Sequence, residues 1–146
     1  MGGAGVERPD HVHRKALIRR AGPFAAALLL AGCNGGTVDR HDLTKDASTL
    51  DSIACEGALL AHDVARGRTT TYFAREQAEE LHLQSSNLAD ALSRRKTVPG
   101  IERKVREKAK DAVRLAATLE RLHDHPADKG VGADVELVLT KMGGCA

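Results

Sequence analysis

The stretch from Ala74 to Leu92 narrows the possible folds of this chain more than any other. Ala74, Ala78, Leu81, Ser85, Leu88 and Leu92 follow one another at steps of four, three, four, three and four. That rhythm returns to one side of a 3.6-residue helix and never matches the two-residue alternation of a strand. A helix is therefore expected from about Thr71 to Arg95. The threonines after Arg68 supply caps for its start, and Arg94, Arg95 and Lys96 complement the dipole at its end.

The same rhythm recurs on both sides. Leu43, Ala47, Leu50, Ile53/Ala54, Gly57, Leu60/Ala61 and Val64 mark a first helix, about Asp42 to Arg66. Asp39, Asp42 and Asp46 lie near its positive end, and Gly67 is a stop signal. Ile101, Val105, Ala112, Leu115, Leu119 and Leu122 mark a third, about Gly100 to Asp124, with Lys108 interrupting the stripe. Pro99 suits the first position of that helix, and His125-Pro126 ends it. Asp128 can cap a shorter fourth helix, about Val131 to Met142, which buries Val135, Leu139 and Met142 before Gly143-Gly144. Connections of about five residues force antiparallel neighbours. The expected fold is all-α: an antiparallel up-down-up-down helical bundle, three long helices plus one short C-terminal helix. No strand-like alternation, internal repeat or low-complexity segment competes with it.

Upstream of the bundle the pattern changes. Arg14, Lys15, Arg19 and Arg20 precede an uncharged apolar run from Ala21 to Leu30, and Leu30-Ala31-Gly32-Cys33 follows. The run has the length of a secretory h-region and falls short of the roughly 20 residues a spanning helix needs. These residues resemble the lipobox signal of bacterial membrane lipoproteins. The resemblance covers about the first 36 residues. It implies a diacylglyceryl thioether on Cys33, cleavage before Cys33, and a location at the cell membrane or cell envelope, outside the cytoplasm. The domains that follow are residues 1–32 as signal peptide, 33–41 as lipidated cysteine and flexible tether, and 42–146 as bundle.

Removing residues 1–32 leaves 17 Lys+Arg and 18 Asp+Glu, so the positive charge of the full chain belongs to the leader. Its basic balance argues for no nucleic-acid partner. Tyr72 and Phe73 are the aromatic residues after the leader, a composition poor in the side chains that line sugar clefts and protein hot spots. With Cys33 assigned to lipid, Cys55 and Cys145 remain. An even pair outside the cytoplasm reads as a disulfide, against two free thiols. Helix lengths agree: Cys55 lies about 11 residues before the end of the first helix, and the fourth returns about 12 residues from that same end.

Two Glu-x-x-His pairs, Glu79/His82 and Glu120/His123, are candidate metal ligands, with Glu56 and Glu136 as further carboxylates. Di-iron bundles use such pairs on inward-facing positions of alternate helices. Here they sit on consecutive helices, one position off each apolar stripe, which reads as solvated flank. His62-Asp63 and His123-Asp124-His125 read as exposed charges near helix ends. No phosphate loop, zinc spacing or nucleophile elbow is present, and Ser85 and Ser86 lack partners, so neither an enzyme nor a cofactor is expected. Arg94–Arg114 carries nine basic and three acidic residues and suits anionic lipid or a cell-wall polymer. The expected role is a membrane-anchored interaction or structural module with an unidentified protein partner. The alternative is a small-ligand or metal-binding bundle, which would hold an internal cavity lined by alanines, Gly57 and Ser85.

Overall fold

Helical periodicity carries through to four helices in the computed structural model, which describes residues 36–145. They are α1 (Arg40–Arg66), α2 (Thr71–Arg94), α3 (Glu102–Asp124) and α4 (Lys129–Gly143). The signal segment 1–32, Cys33 and the first part of the tether lie outside the described residues. Three long helices and a short fourth form an antiparallel all-α bundle, as the spacing of the apolar stripes predicts.

Local chemistry sets the ends of the helices. Asp39 caps α1, accepting from Asp42 N–H at 2.9 Å, while Asp42 accepts from Asp39 N–H in return. Gly67 stops α1 with φ +64°, so that the Gly67 and Arg68 amides turn back to the Val64 and Asp63 carbonyls. Thr70 caps α2 through Phe73 N–H. Asp128 caps α4 through the Gly130 and Val131 amides.

The start of α3 corrects the sequence reading. The helix begins at Glu102, and Pro99 and Gly100 lie in the turn before it. Thr97 is held in an extended bridge with Val38, so Val98–Gly100 must reverse the chain before a helix can begin. Gly100 does this with φ +94°, which helical geometry does not allow.

That bridge also moves the domain boundary. Residues 33–41 were expected to form a flexible tether, yet Val38 is fully buried. Its N–H donates to the Lys96 carbonyl at 2.7 Å, and its carbonyl accepts from Val98 N–H at 3.1 Å. A buried valine and two backbone hydrogen bonds join this segment to the bundle, four residues ahead of the expected boundary at 42.

Packing follows residue size. α1 lies along α4 and α2 lies along α3, with lesser contacts between the two pairs. Small residues set these close approaches. A Cβ on Gly132 of α4 would come within 2.8 Å of Ala65 N and 3.0 Å of Ala61 O, so α4 rests on the α1 backbone. Gly57 of α1 receives Leu119 and Leu139 methyl groups in the space where its own side chain would stand. α2 and α3 bury a comparable run: Ala74, Ala78, Ser85 and Ala89 facing inward from one, Ala109, Ala112 and Ala116 from the other. Leu81, Leu115, Leu119, Leu122 and Leu139 fill the shared core with no appreciable exposure.

α4 is too short to reach the far end of α1. Its Gly143 comes level with Asp51 and Ala54. Beyond that point a second apolar cluster takes over, in which Val38, Leu92, Ile101, Val105 and Ala109 are buried and Leu43, Leu88 and Val98 pack against them. The incoming chain and the α2–α3 connection close the end that a longer fourth helix would have closed.

Cys55 of α1 and Cys145, just past α4, are disulfide-bonded, with Cα atoms 5.5 Å apart and a sequence separation of 90. The bond lies where the helix lengths place it and fastens the short helix at its free end.

Two measurements check this packing. Gly132→Ala should cost about 1–3 kcal/mol in a thermal or denaturant melt, because backbone atoms cannot yield as a side chain can. Gly130→Ala, whose Cβ meets only the Asp128 carboxylate at 3.2 Å, should change the melt little. Intact mass under non-reducing conditions should fall two hydrogens below the dithiol form. Reduction should lower stability by up to about 4 kcal/mol in the chain-entropy account, and a freely alkylatable Cys55 in the unreduced protein would contradict the bond.

Candidate functional site

The outer face of the α2–α3 pair carries a shallow valley along much of its length. Antiparallel packing of two alanine-rich helices produces it, since small side chains bring the backbones together and leave little to fill the seam outside. At the α2–α3 connection the valley is a groove of about 660 Å³. Val113 and Ala117 are shared with a second depression of about 280 Å³, which shares His82 and Glu120 with a third of about 260 Å³ near the other end.

Charge is segregated along this line. Leu92, Val105, Ala109 and Val113 floor the groove at the connection end, and Arg106, Lys110 and Arg114 edge it at helical four-residue steps. Among the described residues no carboxylate lies within ion-pairing distance of these three cations. Among the other basic residues of Arg94–Arg114, Arg94 pairs with Asp90, Arg103 with Glu107 and Lys108 with Asp111, while Lys96 and Lys104, outside the groove lining, have no ion pair among the described residues. Arg95, also in the groove lining, reaches across to α1 and meets Asp42 at 3.2 Å and Asp46 at 3.6 Å. Glu102, the acid in the groove wall, accepts from Gly100 N–H at 2.8 Å.

Glu79, His82, Glu120 and His123 line the depression at the opposite end, together with Leu83 and Asp124. The antiparallel register therefore brings the four sequence candidates to one place on the surface. Their contacts draw them apart again. His82 Nδ1 bonds to the Ala116 carbonyl across the helix pair at 3.0 Å. His123 Nδ1 lies 3.1 Å from Asp124, and its Nε2 lies 4.0 Å from Glu79. Among the described residues no group of three or more His, Cys, Asp or Glu side chains converges on a point that a metal ion could take. The further carboxylates lie elsewhere: Glu56 accepts from Gln77 at 2.9 Å, and Glu136 meets His62 at 2.9 Å. His62 thus bridges α1 to α4, and Asp63 pairs with Arg68 instead.

The internal site imagined around Gly57 and Ser85 is filled. Leu119 and Leu139 occupy the space over Gly57. Ser85 is fully buried and donates its hydroxyl to the Leu81 carbonyl at 2.8 Å, which satisfies it within its own helix. Large apolar side chains that remain exposed, among them Leu59, Tyr72, Phe73, Leu83, Val113 and Leu137, are spread over several helix faces. Among the described residues no helix is long and apolar enough to cross a membrane.

Comparison with protein-family models, with curated proteins and with solved structures finds no match to this chain.

The Arg95 cluster has a pH signature. Burial pushes the Asp46 carboxyl above the ordinary range, and nearby Arg95 only partly offsets this. The folded state then holds this proton more tightly than the unfolded chain does. Its contribution to stability therefore grows as pH falls through the raised value and is absent at neutral pH, where the ionised carboxylate is a cost. Asp46→Asn should melt at the same temperature as wild type or higher at neutral pH. Melts taken from neutral down to about pH 3 should show the variant losing its relative advantage as Asp46 protonates.

Proposed function

We propose that this chain is a cell-envelope lipoprotein whose bundle is a non-enzymatic, membrane-anchored interaction module. The observation that carries the reading is the order of its N-terminal features: a basic stretch, an uncharged apolar run, then Leu30-Ala31-Gly32-Cys33. Thioether formation needs the thiol of Cys33, and cleavage before it needs small neighbours, which Ala31 and Gly32 provide. A mature lipoprotein carries at least two acyl chains, enough for a stable anchor, whereas one holds only marginally. The location is then the outer side of a cell membrane, and the pairing of Cys55 with Cys145 is consistent with an oxidising compartment.

Such a module works by presenting a surface. The partner classes that fit are anionic lipid or cell-wall polymer at the basic face, and a protein at the exposed helix faces. Nucleic acid is not among them. A second reading, a small-ligand-binding bundle, draws support from the groove of about 660 Å³ beside the α2–α3 connection, whose size falls within the range of small-molecule sites.

Full-length wild type and Cys33→Ala should be expressed in a bacterial host and compared by intact mass and membrane fraction. A lipid-sized mass gain and membrane retention are expected in the wild type, and both should vanish in the variant. An unlipidated wild type in the soluble fraction would overturn the anchor.

A further inference from the structure

The basic groove and the extended bridge meet at one residue. Thr97 lines the basic groove, and Thr97 is also the partner of Val38 in the extended bridge. The chain arriving from Cys33 is therefore fastened at the rim of the groove. Val38 lies five positions after Cys33, a reach of at most about 18 Å when fully extended. If lipid on Cys33 enters a bilayer, the groove end of the bundle is held close to the headgroups, and the far end with Glu79 and His123 is held away.

The groove itself suits what it would meet there. Its floor of Leu92, Val105, Ala109 and Val113 is apolar, and Val113 remains 58% exposed. Its edge carries Arg106, Lys110 and Arg114, which among the described residues have no carboxylate in pairing distance. An apolar floor beside unpaired cations complements an amphiphile with a negative headgroup.

The geometry points to this groove as a seat for anionic phospholipid of the membrane that holds Cys33. The phosphate lies against Arg106, Lys110 and Arg114, and the upper part of an acyl chain lies against Val113 and Ala109. This rests on the lipoprotein reading and deepens it, turning a flexible attachment into a fixed orientation. The tether makes the groove contact intramolecular in effect, so a contact too weak to recruit a free protein still orients a tethered one.

An environment-sensitive thiol probe on Val113→Cys in the full-length protein tests this. Leu59→Cys, on α1 and 70% exposed in the wild type, serves as reference. Each labelled protein, its lipid state read by intact mass, is placed with phosphatidylglycerol vesicles and with phosphatidylcholine vesicles. The expected result is a blue shift at position 113 on phosphatidylglycerol alone, with none at position 59. The shift should shrink as salt rises and disappear when Arg106, Lys110 and Arg114 are replaced by glutamine. No shift on phosphatidylglycerol, an equal shift on phosphatidylcholine, or a shift that survives the triple replacement would each overturn the proposal. An unlipidated mass would overturn the lipoprotein reading and the orientation that rests on it, whereas absence of the shift in protein of lipidated mass would overturn the groove proposal alone.

Discussion

The bundle depends on how closely α1 and α4 approach. With Tyr72 and Phe73 both exposed, no aromatic ring fills the interior of the described domain. A core built from leucine, valine and alanine has little volume to hold helices apart and must draw them together to exclude water. Gly132 against the α1 backbone, and Gly57 beneath Leu119 and Leu139, are the places where that approach is possible. The pairing of α2 with α3 solves the same problem with alanine. Every leucine that seals the centre is positioned by these two close pairs.

Shortness of α4 has the second largest influence. A fourth helix of full length would have covered the lower half of α1, and the chain ahead of Asp39 would have had no buried place. Because α4 ends level with Asp51, the opening is available to Val38. One truncation thus accounts for the second apolar cluster, for the extended bridge to Thr97 and for the point at which the N-terminal segment joins the bundle. At the same end, Arg95 joins the groove lining to Asp42 and Asp46 on the first turns of α1.

What could be read in advance was what is local. Helix stripes repeat within one segment, so Ala74 to Leu92 announced α2 without reference to anything else. The Cys55–Cys145 pairing was legible because helix lengths convert directly into height. Two kinds of information were out of reach. Val38 meets Thr97 through a single bridge, which leaves no repeating pattern in either stretch. Pro99 followed a sound rule for helix starts and was overruled by the reversal at Gly100 that this bridge demands. The basic run from Arg94 to Arg114 was visible as composition. Which of its charges stay unpaired along one edge emerged only once Asp42, Asp46, Asp90, Glu107 and Asp111 had found their partners. The Glu-x-x-His pairs showed their helical spacing in sequence, but their meeting on one surface depends on the register between α2 and α3.

The pairing of helices has a kinetic consequence. α2 and α3 join through a short turn, and His82 meets Ala116 across only 34 residues. α1 and α4 find each other across far longer loops, at sequence separations of 74 for His62 and Glu136 and 90 for the cysteines. Loop closure costs more entropy as the loop lengthens, which favours early pairing of α2 with α3 over pairing of α1 with α4. α4, made after α1, α2 and α3, is the helix that completes the core of the described bundle. Until α4 arrives, the glycine- and alanine-lined face of α1 stays open to water. A chain already oxidised between Cys55 and Cys145 has closed the longest of these loops before folding begins, so the α1–α4 pairing starts from a shorter search.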